Sequence, residues 1–172
     1  MFTLAPPCGI INIRNTSSEP SVRLTTFSDY TLRVLIYLGA HGAERATIGE
    51  IARAYGISEN HLMKVVHYLA QEGYIETTRG KGGGMRLARE PRRINVGKVV
   101  RGTESDQKLV ECFDRKTSAC RIAPACVLQG VLGRALESFY EVLERYTLAD
   151  LLVTTPRLQR LLARTDVRAE RV

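Results

Sequence analysis

Long apolar runs are missing from this chain. None approaches the ~18–20 residues that a membrane-spanning helix requires, so no such helix is expected. Residues 1–21 lack a basic segment ahead of an apolar core and lack a clean cleavage site. No secretory leader is read there, and the protein is expected in the cytoplasm, where structural disulfides are rare. Histidine is scarce: three in 172 residues, and none in residues 102–172. Imidazole is thereby removed from any metal site built within the second half. No C-x2-C pair occurs among the four cysteines, which argues against a zinc ribbon. Neither a serine–histidine–acid arrangement nor a paired-carboxylate pattern rises above background, so an enzyme is not expected.

What is present is charge, unevenly placed. The formal net charge is +7. Residues 22–101 carry 13 Lys and Arg against 7 Asp and Glu, whereas residues 102–172 carry 11 against 10. A basic half joined to a nearly neutral half is the footprint of a polyanion binder. The length suits one domain or two small lobes.

The pattern of the basic half predicts helices joined by tight turns. Ser28-Asp29 can cap a first helix running to about Gly39, with Leu32, Leu35, Ile36 and Leu38 on its apolar face. Thr47-Ile-Gly-Glu50 forms a capping box for a short helix, Ile48 to about Tyr55. Gly56 ends it. Ser58 caps a third helix whose apolar positions are Leu62, Val65, Val66 and Leu69, and Gly73 closes that one. Two helices joined by a short glycine turn are a helix-turn-helix signature. Strand-like runs follow at 74–77 and 85–87, separated by the basic, glycine-rich stretch Thr78-Arg-Gly-Lys-Gly-Gly-Gly84. A hairpin with such a tip, placed after a recognition helix, reads as a wing.

The chemistry of base reading singles out candidates. The start of the second helix of a helix-turn-helix enters the major groove; here that is Ser58, Glu59, Asn60, His61 and, one turn on, Lys64. Asparagine can read adenine and lysine can reach guanine or phosphate. Arg79 fits a narrow minor groove, Lys81 fits a phosphate, and Gly82 and Gly83 allow close backbone approach. His41 and His67 read as surface or packing residues.

The nearly neutral half opens with a short helix at 94–101 and a loop, 102–126, holding Cys112, Cys120 and Cys126 as C-x7-C-x5-C. Soft thiolates in an open loop suit iron–sulfur chemistry; three thiols without metal are the plainer alternative. Cys8, far away in an irregular extension, is set aside as incidental. Beyond the loop, Leu128, Leu132, Ala135, Phe139, Val142 and Tyr146 recur at spacings of four and three, a heptad stripe. Such a stripe either packs on its own domain or pairs with a second copy; in a small DNA-binding protein, pairing is favoured. Thr147-Leu-Ala-Asp150 caps a following turn, and Thr155-Pro156 precedes a last short helix from Arg157 to about Ala163.

The expected fold is mainly α with a small β-wing. It divides into an irregular extension at 1–21, a winged helix-turn-helix domain at 22–101, and a cluster-binding loop at 102–126. A dimerisation helix with short C-terminal helices at 127–163 and a tail at 164–172 complete it.

Together these segments resemble the Rrf2 family of bacterial winged-helix regulators. The resemblance lies in Arg23-Leu-Thr-Thr-Phe-Ser-Asp-Tyr30, the run Ile57 to Val66, Arg79-Gly-Lys-Gly-Gly-Gly84 and the three cysteines. Leu109-Val-Glu-Cys112, Ile122-Ala-Pro-Ala-Cys126 and Tyr146-Thr-Leu-Ala-Asp150 are similar to the NsrR branch, nitric-oxide-sensing repressors. The resemblance implies a homodimer on double-stranded operator DNA, with an iron–sulfur cluster, [4Fe-4S] or [2Fe-2S], on Cys112, Cys120 and Cys126 of each subunit. Nitric oxide would be the signal that destroys the cluster and releases the DNA. A histidine three residues after the last cysteine marks the IscR branch; here that position is Gln129. The resemblance therefore points to a fourth, carboxylate ligand, Asp29 of the partner subunit. A regulator sensing iron–sulfur status or redox state is the alternative within the family. A cluster carrier or thiol-redox protein is the alternative outside it.

Overall fold

A computed structural model describes residues 23–104, 109–114 and 118–163. The extension at 1–21 with Cys8, and the tail at 164–172, lie outside the described residues. Seven α-helices and one two-stranded sheet are found among them. None of the helices is long and apolar enough to cross a membrane.

Helix α1, Thr26–His41, starts earlier than the sequence pattern indicates. Thr25 is its N-cap, accepting a hydrogen bond from the Ser28 amide at 3.1 Å. Asp29 is therefore not a cap; its own amide already donates to the Thr25 carbonyl at 3.0 Å. Thr25 wins because Glu104, far along the chain, accepts from its amide and hydroxyl at 2.8 and 2.9 Å.

Helices α2, Ile48–Tyr55, and α3, Glu59–Gln71, form the helix-turn-helix. Both halves of the Thr47–Glu50 capping box are in place. Gly56 takes the left-handed conformation at φ 63°, and Ser58 caps α3 by accepting from the His61 amide. Strands β1, Ile75–Thr78, and β2, Gly84–Leu87, pair antiparallel, Ile75 opposite Leu87. Ala46, between α1 and α2, exchanges two main-chain hydrogen bonds with Met85, at 2.9 and 2.8 Å. The wing is thus fastened to the helix-turn-helix and does not swing from it.

Helix α4 runs Val96–Thr103, two residues further than its sequence pattern indicates. Its start is capped by Asn95, whose side chain also donates to the Glu144 carbonyl at 2.6 Å. Helix α5, Val127–Glu144, crosses α4 closely. At Gly97 a Cβ would come within 2.5 Å of the Glu144 amide nitrogen, so glycine is needed at the crossing. Arg101 adds paired bonds to Glu137 at 3.2 and 3.0 Å, a bond to Glu144, and a guanidinium 4.2 Å from the Tyr140 ring centre. Helices α6, Leu148–Leu151, and α7, Thr155–Leu162, fold back on α1. The Thr147–Asp150 capping box opens α6 as its sequence indicates.

One core joins Val34, Leu35 and Leu38 of α1, Ile51 of α2, Leu62, Val65, Val66 and Leu69 of α3, Ile75 and Met85 of the wing, and Leu148 of α6. A smaller cluster, Val96 and Val100 with Tyr140, takes one face of α5 through Leu136 and Leu143. The stripe read from the sequence lies largely on the other face. Leu128, Phe139, Val142 and Tyr146 are all exposed, from 43% for Phe139 to 59% for Leu128. Helix α5 therefore has two apolar faces, and only one is used within the described chain.

Candidate nucleic-acid interface and cysteine loop

The core face of α3 is filled by four buried aliphatic residues, which forces the rest of the helix outward. Glu59, Asn60, His61, Met63, Lys64 and His67 are all exposed. Tyr30 of α1 stands beside His61, ring centres 6.2 Å apart. The sequence reading omitted Met63, half exposed among polar neighbours. An apolar side chain has no polar signal, and its exposure appears only once the helix is set against the core.

At the wing tip the Gly83 amide donates to the Gly80 carbonyl at 2.9 Å, closing a four-residue turn. Gly82 occupies its third position at φ 76°, a conformation that favours glycine. At Gly83 a Cβ would lie 2.4 Å from the Thr78 carbonyl oxygen. Arg79, Lys81 and Gly82 are exposed at this tip, and Gly83 is half-buried. The wing's other cations are engaged: Arg45 and Arg86 pair with Glu76, and Arg89 bonds the Glu72 carbonyl and lies over Tyr74. On the wing hairpin, the cations left to meet an outside anion are Arg79 and Lys81 at its tip, joined to α3 through β1.

The three cysteines are each half-buried. Cys112 sits in a tight 3-10 turn, Glu111–Phe113, and Cys126 follows another, Ala123–Ala125, before capping α5. The Glu111 carboxylate accepts from the Ala119 amide at 2.6 Å, drawing the two arms of the loop together. The Gln129 side chain donates to the Cys112 carbonyl at 2.7 Å. Sequence alone marked Gln129 only as the place where a histidine is absent. Among the described residues, no three His, Cys, Asp or Glu side chains form a ready metal-holding group. Asp29 lies on the exposed side of the first turn of α1, held by Arg33 of the next turn at 3.0 and 2.7 Å. It is not grouped with the cysteines of its own chain. Three soft thiols in one loop are a donor set that suits iron.

The root of the loop carries a contact with no sequence signal. Glu104, nearly fully buried, accepts from Thr25 and from the Ser28 hydroxyl. The Ser28 and Thr103 hydroxyl oxygens lie 2.7 Å apart. This network joins the end of α4, where the cysteine segment begins, to the start of α1, which carries Asp29.

A family model described as "Iron-dependent Transcriptional regulator" matches residues 24–154. The chain belongs to the Rrf2 family. Within Rrf2 it is similar to proteins named HTH-type transcriptional regulator NsrR. The one from Bacillus subtilis (strain 168) is 49% identical over 142 residues, 82% of this chain and 97% of that protein. The one from Geobacillus kaustophilus (strain HTA426) is also 49% identical, with the same coverage of each chain. Among solved structures, T. potens IscR superposes with a TM-score of 0.64 at 29% identity, covering 81% of this chain and 92% of that one. B. subtilis CymR, titled the global cysteine regulator, gives 0.58 at 27% identity, covering 76% and 95%. This Rrf2 member is a winged-helix transcriptional regulator of the NsrR type, not an enzyme.

Proposed function

We propose that the protein is a homodimeric repressor that binds operator DNA while it holds an iron–sulfur cluster and releases the DNA in response to nitric oxide. The observation that carries this reading is the placement of three half-buried thiols in a loop rooted on α4 and α5, beside an unpartnered apolar helix face. The similarity to regulators named NsrR and to an iron-dependent family supports it.

Each part has a physical role. The exposed stripe Leu128, Phe139, Val142 and Tyr146 would bury against its counterpart in a second copy, since apolar surface leaves water favourably. Asn60, His61, Lys64 and the Ser58 hydroxyl would enter the major groove, and Met63 would add an apolar surface suited to a thymine methyl. Arg79 would enter the minor groove, with Lys81, Gly82 and Gly83 on the backbone. Cys112, Cys120 and Cys126 would hold the cluster with Asp29 of the partner subunit, which must first leave Arg33. When bound, an iron–sulfur cluster supplies iron at which nitric oxide reacts. The Glu104 contacts would carry a change in the cysteine loop to the start of α1. Dimer readers hold their recognition helices about one DNA turn, ~34 Å, apart, so a small shift there costs specific contacts.

Anaerobic visible spectra and gel shifts test the ligand set. Replacing any one of Cys112, Cys120 or Cys126 by Ser should abolish the visible absorbance and weaken operator binding, whereas Cys8→Ser should do neither. A cluster kept by one of the three variants and lost by Cys8→Ser would overturn the assignment.

A further inference from the structure

We propose that Gln129 is a positioning residue for the cysteine loop: its side-chain amide holds the Cys112 turn against the first turn of α5, so that Cys112 and Cys126 are presented side by side before any metal arrives. The proposal rests on the reading that these two thiols serve one site.

Gln129 is the third residue of α5, and Cys126 is its N-cap. A glutamine at that position ordinarily reaches back to the N-cap amide. Here the Cys126 amide donates to the Ala123 carbonyl instead, at 3.3 Å. The Gln129 amide nitrogen is turned to the Cys112 carbonyl, 17 residues earlier, at 2.7 Å. This bond ties the Cys112 main chain to the first turn of α5, which Cys126 precedes. Five other bonds among the described residues of the loop have shorter spans: Phe113 donates to Val110, Ser118 to Asp114, Ala119 to Glu111, Ala123 to Cys120 and Ala125 to Ile122. These shape the short turns and join the Cys112 turn to the Cys120 arm, but none of them reaches from the first cysteine's turn to the last.

The thermodynamic consequence is preorganisation. A flexible loop must lose conformational freedom when its ends are gathered on one ligand. A contact that has already gathered them lowers that cost and raises affinity. A neutral hydrogen bond contributes about 1 kcal/mol net, so its removal should weaken metal capture about fivefold to tenfold. The role needs a donor: glutamate would set a carboxylate oxygen against a carbonyl oxygen, and leucine would fill the space with no donor.

The test uses full-length apo-protein carrying Cys8→Ser, with Co(II) as the probe under anaerobic conditions. Sulfur-to-cobalt charge-transfer absorbance reports thiolate binding. Gln129→Leu and Gln129→Glu should each weaken Co(II) binding about fivefold to tenfold. Each should also speed hydrogen exchange at the Phe113 and Asp114 amides while leaving the thermal midpoint of the winged-helix body unchanged. Cys112→Ser and Cys126→Ser should both weaken Co(II) binding more strongly. If the cysteine variants behave so but both Gln129 variants match the parent in affinity and exchange, the positioning role is overturned alone. If Co(II) binding is indifferent to Cys112→Ser and Cys126→Ser, the shared-site reading falls and takes the proposal with it.

Discussion

From Val34 to Val100 the inner faces of the helices and of the wing are sealed: Leu35, Leu38, Ile51, Leu62, Leu69 and Val99 show essentially no exposure. From Leu109 to Tyr146 a single described side chain, Tyr140, is buried. The first region encloses a shared core, which Leu148 of α6 completes. The second has half-buried thiols, exposed apolar side chains and a few bonds that tie its short turns together. The DNA-reading body thus closes a core, and the described part of the cysteine arm leaves most of its apolar side chains at the surface. On the proposed function a second copy and a cluster would cover that arm, and separating them from the body lets one part report a signal without unfolding the other.

Substitutions at apolar positions of the two regions should give opposite results, and this contrast is the largest. Leu69→Ala should destabilise the folded chain by about 2–5 kcal/mol, because it leaves a cavity in the shared core. Phe139→Asp should leave the unfolding of the body nearly unchanged and instead separate the dimer. Chemical denaturation and size-exclusion chromatography on both variants check the pair. A dimer that persists in Phe139→Asp would remove the second copy from the outer face of α5.

Within the body, the wing tip offers a middle-sized effect. Lys81→Ala should weaken binding to specific and random DNA alike and reduce the magnitude of the salt-dependence slope by about one. Asn60→Ala should relax sequence preference, by about 1–3 kcal/mol if the contact reads a base pair. Fluorescence anisotropy across a salt series distinguishes them, and identical behaviour of the two variants would contradict the division of labour between groove and backbone.

The smallest effect belongs to a helix start. The Thr47 amide and hydroxyl hold the Glu50 carboxyl below the ordinary carboxylate range. A carboxylate with a lowered folded pKa stabilises the fold above its unfolded value, about 4.3, and that contribution is lost as pH falls through the lower folded value. The start of α2 should therefore weaken in acid, and Glu50→Gln should flatten that part of the stability curve between about pH 5 and 3. Thr47→Ala should cost about 1 kcal/mol at neutral pH. Urea midpoints measured across that range decide it.

The local devices were legible in the chain itself. Thr47 with Glu50, Gly56, Ser58 and Thr147 with Asp150 each act within three or four residues, so their spacing is their signature. The helix-turn-helix and the wing follow from those signals. What escaped is non-local. Thr25 displaces Ser28 as the cap of α1 because Glu104, 79 residues away, completes it. Asp29 reads as part of a helix cap and as a candidate ligand, although Arg33 one turn on bonds both its oxygens. The apolar stripe on α5 was visible, but Leu136, Tyr140 and Leu143 are apolar as well, and only packing on α4 shows which face stays open. Gln129 has no pattern at all, since its partner is a carbonyl 17 residues away.

The central claim is that the cysteine arm governs DNA affinity without governing the fold. Anaerobic titration of the cluster-loaded protein with nitric oxide tests it most directly, with visible absorbance, operator binding and molecular mass followed on the same samples. The account predicts that operator affinity falls in step with the loss of cluster absorbance while the protein remains a folded dimer. Undiminished operator affinity after the absorbance is fully bleached would contradict it.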